Sequence, residues 1–553
     1  MSDSAPLSAP AHRRSLVVAI AVLVVLAGIV AIRQGGRDDG NPESAPPSSD
    51  LSNLAAGGDP DVDSATGVPA GIDETAASAA AQVTADGRAS RADSAAGSSA
   101  TGGAPSGSDA AAPPGGPASS TAAASATRTA LPGVTAEEIT VAYYWKGDRT
   151  RTSPYLSGTG AEGNVDEAES FRRLVDFVNA NASGGASLMG HPINLHGRKL
   201  KGVVVEAGQD AEDFAVAAAK ITDEIKPFAA VAAHGSVSTY LCPAMAKAGI
   251  HNFATYDLAG SLASSTGGYC LPSGMAWEQQ VDLTEAYLLR EQRADAKKVY
   301  GVVYAEYPGL VDSAPKMVDR LKKAGVNIAA VATMSASLAT AQQQAANVVA
   351  RMRVAGVNTI VMPDAGAPIN FTHTAQAQGY NPDYYVWPCS GQDTMGMVRI
   401  LNAAQWARAE GLTCYDESFT SDVTINDAMR KTEWFRAYQA AAPGKEPPAP
   451  TPFVYAALLP LVAGLEAAGP DLTLESFRAG LDRFVAYRYD AASGRTTAGN
   501  RLLLGFGQPN RALLTDGARL KYNPTRREPG SGAPGWYEFP ESRRFATRAD
   551  FGN

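Results

Sequence analysis

A chain of 553 residues with net charge −9 holds two domain-sized lobes plus extensions, and its acidic balance argues against nucleic acid, whose phosphates call for a basic patch. Six His and four Cys, with no C-x-x-C, leave little material for a metal site, and none is expected. No Walker A, H-E-x-x-H or G-x-S-x-G sequence occurs, so no cofactor and no covalent chemistry are read from the chain.

Residues 1–14 read as a cytoplasmic segment ahead of the apolar run Ser15–Ile32 (SLVVAIAVLVVLAGIVAI). As a helix that run spans about 27 Å, close to the hydrocarbon thickness of a bilayer. His12, Arg13 and Arg14 precede it, while Arg33 and Arg37 are offset by Asp38 and Asp39, a weak bias toward an inside N-terminus. A cleaved signal and an uncleaved anchor both fit. The lack of a small-x-small site after the run favours the single-pass anchor, with the folded part outside the cytoplasm. Arg13-Arg14 also resembles a twin-arginine export signal. Residues 33–133 form an Ala/Gly/Ser/Pro tract that buries too little apolar surface to order itself, so a disordered linker is expected.

From residue 134 the pattern changes. Short apolar runs at Ile139–Trp145, Gly202–Glu206, Phe228–Ala233, Val299–Tyr304, Val326–Val331, Thr359–Met362 and Tyr384–Trp387 read as strands covered on both faces. Between them lie helical stretches. Glu167–Val178 has Ala168, Phe171, Leu174, Val175 and Val178 on one face. Asp210–Ile225 opens on an Asp cap, and Pro308–Ala324 and Leu338–Ala355 end at the glycines Gly325 and Gly356. Such alternation predicts an α/β fold of parallel βαβ units, and the strand number predicts two sheets, hence two lobes. Ligands of such sheets sit beyond the strands' C-terminal ends.

The cysteines stand as two spaced pairs, Cys242 with Cys270 and Cys389 with Cys414. In an exported chain an even count favours disulfides, although four cysteines allow three connectivities. Gly158–Gly163 matches G-x-G-x-x-G but does not directly follow a strand, so it reads as a mouth loop rather than a nucleotide site. His191 and His196 lack a third partner for a metal and read as surface histidines. Arg526, Arg527, Arg543, Arg544 and Arg548, interleaved with Glu and Pro, read as a solvated face.

In order along the chain, ITVAYY, ESFRRLVDFVNANAS, KLKGVVVEAGQDAEDFAVAAAKITDE, PFAAVAAHGSVSTYLCPAMAKAGIHNFA, VYGVVYAEYPGLVDSAPKMVDRLKKAGVNI and ANVVARMRVAGVNTIVM resemble the type 1 periplasmic binding proteins, in particular the branched-chain amino-acid (Leu/Ile/Val) receptors of ABC transporters. The resemblance covers nearly all of 134–553. It implies two Rossmann-like lobes joined by a three-crossover hinge, lobe one near 134–275 and 419–481, lobe two near 276–418 and 482–553. It implies a non-enzymatic solute-binding protein that closes on a small polar or anionic amino-acid-like molecule and delivers it to a transporter permease. A sensor or scaffold of the same fold is the alternative reading.

By the same resemblance Gly235, Ser236 and Ser238 would receive a ligand carboxylate. Thr255 and Tyr256 would follow at the next strand end, and Tyr307 would come from the second lobe. Tyr143 and Tyr144 are expected to add aromatic wall. Where the family places an acidic residue for an ammonium group, this chain reads WPCSGQD, which puts Cys389 or Ser390 there and leaves Asp364 and Asp393 off the pattern. The loop Lys146–Gly163 and the insertion Ser183–Gly197 are expected to lengthen the mouth, and Pro308 to stiffen the turn at Tyr307.

Overall fold

The computed structural model describes residues 131–552 apart from 146, 148–165, 209–210, 234, 255–261, 418, 420–426, 497–500, 507–511 and 530–531, and apart from the side chains of 211, 235, 236 and 264. The expected anchor, the tract as far as residue 130 and the G-x-G-x-x-G loop therefore lie outside the described residues.

The strands in chain order are β1 (Glu138–Trp145), β2 (Ser187–Leu188), β3 (His191–Pro192), β4 (Lys199–Glu206), β5 (Ala229–Ala232), β6 (His251–Ala254), β7 (Cys270–Pro272), β8 (Tyr300–Ala305), β9 (Ile328–Met334), β10 (Thr359–Val361), β11 (Asp383–Val386), β12 (Ala409–Thr413), β13 (Tyr487–Asp490), β14 (Gly494–Thr496), β15 (Leu502–Leu504), β16 (Gly517–Arg527), β17 (Pro534–Glu538) and β18 (Arg544–Phe545). A first sheet has the order β4-β1-β5-β6-β7, parallel throughout. Its central strands β5 and β6 are buried along their whole length, as runs such as Ala-Ala-Val-Ala require of a strand covered on both faces. Gly202 on β4 leaves room for Phe171, since a methyl there would stand 2.8 Å from the ring. Phe171 lies on the helix Glu167–Ala180, which is capped by the Asp166 carboxylate and buries Leu174, Val175 and Val178, the face read from the sequence.

The second sheet has the order β17-β16-β12-β11-β10-β8-β9, with β18 beside β16. Strands β8 to β12 are parallel, and β16, β17 and β18 are antiparallel, so this sheet is mixed rather than wholly parallel. The direction follows from connectivity. The chain re-enters the sheet beside the C-terminal end of β12, where Thr413 pairs with Ala518, and from that edge it can only run the opposite way. A small third sheet has the order β14-β13-β15. Strand β9 begins at Ile328, not at Val326. Gly325, with φ of 97°, ends the preceding helix, and Val326 N–H closes that turn on Leu321 O.

Helix Thr451–Ala468 is the one among the described residues long and apolar enough to cross a membrane by length and composition. It is a core helix here: Phe453 to Leu465 are buried, and it packs on β5, β6 and helix Glu167–Ala180. The chain passes between the two large sheets three times: after β7, after β12, and between the helix Leu474–Asp482 and β16.

One expectation about loops changes. The insertion Ser183–Gly197 does not stand at the strand ends. It enters β4 at that strand's N-terminal end, and it is fastened down by side chains from later in the chain. Tyr455 and Tyr487 hydroxyls bond Met189 N–H and C=O at 3.1 and 2.7 Å, and the Glu433 carboxylate accepts Gly190 N–H at 3.1 Å. His191 and His196 belong to the same anchoring: His191 stands 3.7 Å from the Glu466 carboxylate, and His196 Nε2 is 2.8 Å from Glu466 O. Burial holds the His191 imidazole below its ordinary pKa.

Candidate functional site

Every parallel strand of both sheets delivers its C-terminal residue toward the crossovers. The edges meet where Met275, just past β7, donates its N–H to Cys389 Sγ, just past β11, at 3.2 Å. This seam is where a ligand of such a fold would be enclosed.

From the first sheet, Gly235 and Ser236 open the helix Gly235–Lys247 shortly after β5, so the backbone N–H groups of a helix N-terminus lie just past that strand's C-terminal end. Ser238 lies deeper. Its hydroxyl is 2.5 Å from the Tyr144 phenol, which donates to Asn252 Oδ1 at 2.8 Å, and all three side chains are buried. Burial raises the Tyr144 phenol well above its ordinary pKa, so it stays neutral and available as a donor. Thr255 and Tyr256 lie outside the described residues.

Tyr143 and Tyr144 are core residues rather than walls of a cleft. They are neighbours inside β1, so they point to opposite faces of a sheet covered on both sides. Tyr143 stacks on Phe171 with centroids 4.8 Å apart and donates its hydroxyl to Glu167.

From the second sheet, Tyr307 follows β8 in a tight turn in which its N–H bonds Ala305 O and its C=O receives Leu310 N–H. Gly366 makes room for it: a methyl there would stand 2.7 Å from the Tyr307 hydroxyl. Burial raises this phenol above its ordinary value, with the charges of Asp364 and of Tyr240, a residue of the opposite half, adding to the effect.

The two carboxylates off the family pattern are both taken up by their own turns and by a neighbouring strand end. Asp364 is fully buried and accepts N–H bonds from Ala305, Gly366 and Ala367 at 2.9, 2.7 and 2.8 Å. Asp393, also fully buried, accepts from Cys389 and Gly391 N–H and from the Thr413 hydroxyl at 2.9, 3.2 and 2.8 Å. Burial pushes its carboxyl up to about 6. Ser390 is buried as well, its hydroxyl donating to Trp387 O and accepting Gln392 N–H. The WPCSGQD turn is thus an internally bonded knot that fixes the end of β11. Cys389, at φ of 56°, is held in it by its bond to Cys414, and Cys242 is bonded to Cys270.

One residue was misread from composition. Arg544 does not belong to a solvated face. Its side chain is 2% exposed, against Asp516 at 1%. Nothing in the local sequence marks it, because the carboxylate that holds it lies 28 residues earlier, just before β16. The other C-terminal arginines do face outward, Arg526 to Glu417, Arg543 to Glu541 and Arg548 to Glu285.

Comparison with known proteins agrees with this architecture. Residues 154–512 match the family described as Periplasmic binding protein. A search of curated proteins finds no match. A periplasmic binding protein from Burkholderia mallei is similar in structure with TM-score 0.50 and 12% identity, over 75% of this chain and 96% of that one. The branched-chain amino acid binding protein LivJ from Streptococcus pneumoniae, solved with isoleucine, gives 0.47 and 14%, over 73% and 100%. A solute-binding protein from R. palustris, solved with 4-hydroxybenzoate, gives 0.49 and 12%, over 75% and 99%. With the family match spanning most of the two-sheet body, the chain belongs to the type 1 periplasmic binding protein family.

Proposed function

We propose that this protein is the extracytoplasmic solute-binding component of an ABC-type uptake system, closing about a hinge on a small polar or anionic organic molecule. The observation that carries this reading is the seam itself, where the C-terminal ends of the parallel strands of two sheets come together beside three crossovers in a chain of this family. The ligand would be met by the N–H groups opening helix Gly235–Lys247, by Thr255 and Tyr256, and by Tyr307 from the opposite half. An anion suits a helix N-terminus. The ammonium group of a free amino acid would find Asp364 and Asp393 already occupied, which favours an acid or amide over a zwitterion. Transport coupling would need a permease partner, and tethering would come from Ser15–Ile32.

The test is a thermal-shift screen of amino acids, amides, short acids and aromatic acids, followed by calorimetry on any hit. A ligand that binds only the folded state raises the melting temperature in a concentration-dependent way. No stabilisation by any of the four classes would remove the capture reading.

A further inference from the structure

The three crossovers are joined in a closed circuit of contacts. Leu513 N–H donates to Pro272 O at 3.2 Å and Leu514 N–H to Gly274 O at 3.0 Å, which ties the third crossover to the first. Met275 N–H reaches Cys389 Sγ, and Cys389 is bonded to Cys414, where the second crossover begins. Arg544 closes the ring. Its guanidinium donates to Cys414 O and Tyr415 O, both at 2.9 Å, to Asp516 Oδ1 at 2.8 Å and to Asp516 O at 3.0 Å. Asp516 also takes Arg488 from β13 and stands two residues after Leu514. Leu513, Leu514, Asp516 and Arg544 all follow residue 512, where the family match ends.

We propose that Arg544 is a positioning residue that latches the hinge, so that the segment after residue 512 sets how far the two halves open. A hinge moves by changing φ and ψ in its crossovers. A planar guanidinium bonded to two of the three crossovers makes them move as one strap. Breaking those bonds leaves buried charge and buried carbonyls without partners, so the strap stays intact through the motion. The inference rests on the hinged reading of the two halves, but not on the identity or existence of a ligand.

The experiment measures the distance between spin labels at Val216 and Val354 in the full chain without added ligand. These positions are 66% and 89% exposed and lie on helices of opposite halves. In the otherwise unaltered protein the distribution should be narrow. Arg544→Met, with native far-UV circular dichroism, should broaden it and shift it to longer distances. Arg548→Met, which removes only a half-exposed partner of Glu285, should leave it unchanged. If Arg544→Met does not fold, Arg544→Lys carries the test, since it keeps the charge opposite Asp516 but cannot bridge both carbonyls. A folded variant at 544 whose distribution matches the parent overturns the latch. A blank ligand screen would leave this result standing, so the two failures are distinguishable.

Discussion

At the scale of single residues, burial decides which side chains can serve a ligand. Tyr307 and Asp364 come from neighbouring strand ends, but Asp364 is consumed by three N–H groups while Tyr307 keeps a phenol at the seam, aligned by the missing side chain of Gly366. Tyr307→Ala should weaken binding of any compound found in the screen by about 1–3 kcal/mol, measured by calorimetry. Gly366→Ala should weaken it in the same direction by displacing the ring, with little loss of unfolding free energy; unaltered affinity in both variants would remove Tyr307 from the site. Asp393 gives a pH signature. Its carboxyl titrates near 6 in the fold against an ordinary 3.8, so the native state binds that proton more tightly than the unfolded chain. The resulting stabilisation is complete below about pH 4 and is lost as pH rises through about 6, a change of roughly 2–3 kcal/mol. Urea unfolding across that range should show the slope, and Asp393→Asn should flatten it. These residue roles were only partly legible. Strand period places Tyr143 and Tyr144 on opposite faces, but whether a face is covered depends on helices far away in the chain.

At the scale of elements, periodicity and punctuation carried well. The seven expected strands all form, with ends displaced by a few residues, and the glycines Gly325 and Gly356, at φ of 97° and 68°, end their helices as read. The cysteine pairs join elements rather than loops: Cys242–Cys270 ties helix Gly235–Lys247 to β7, and Cys389–Cys414 ties the turn after β11 to the end of β12. Replacing both members of the first pair with serine should cost about 3–4 kcal/mol of unfolding free energy in a denaturant titration. A loss near zero would mean that the bond constrains nothing the fold does not already fix. The antiparallel strands β16 to β18 were not foreseen. Lys521, Asn523, Thr525 and Arg527 give β16 a polar face that reads as loop until it is paired with β12 and β17.

At the scale of the whole molecule, the prediction concerns placement. If Ser15–Ile32 remains as an anchor, full-length protein should fractionate with membranes and carry its intact N-terminus by mass spectrometry. A mature start beyond Ile32 would make that run a signal and leave the body free. Under either outcome the proposed placement of the folded part is outside the cytoplasm, where its two disulfides would persist.

The sequence by itself determined the α/β alternation and the family, because each is written in local pattern: apolar runs of strand length, glycines at helix ends, residues in a fixed order; it suggested the cysteine pairs but left three connectivities open. Only the tertiary structure decided that Asp364, Asp393 and Ser390 are spent on hydrogen bonds inside the protein, that the insertion Ser183–Gly197 is pinned to the body, and that Arg544 lies buried against two of the crossovers. Those outcomes depend in part on partners as much as 298 residues apart, as Met189 and Tyr487 are, and desolvation and hydrogen bonding between such partners leave no mark on the neighbouring sequence.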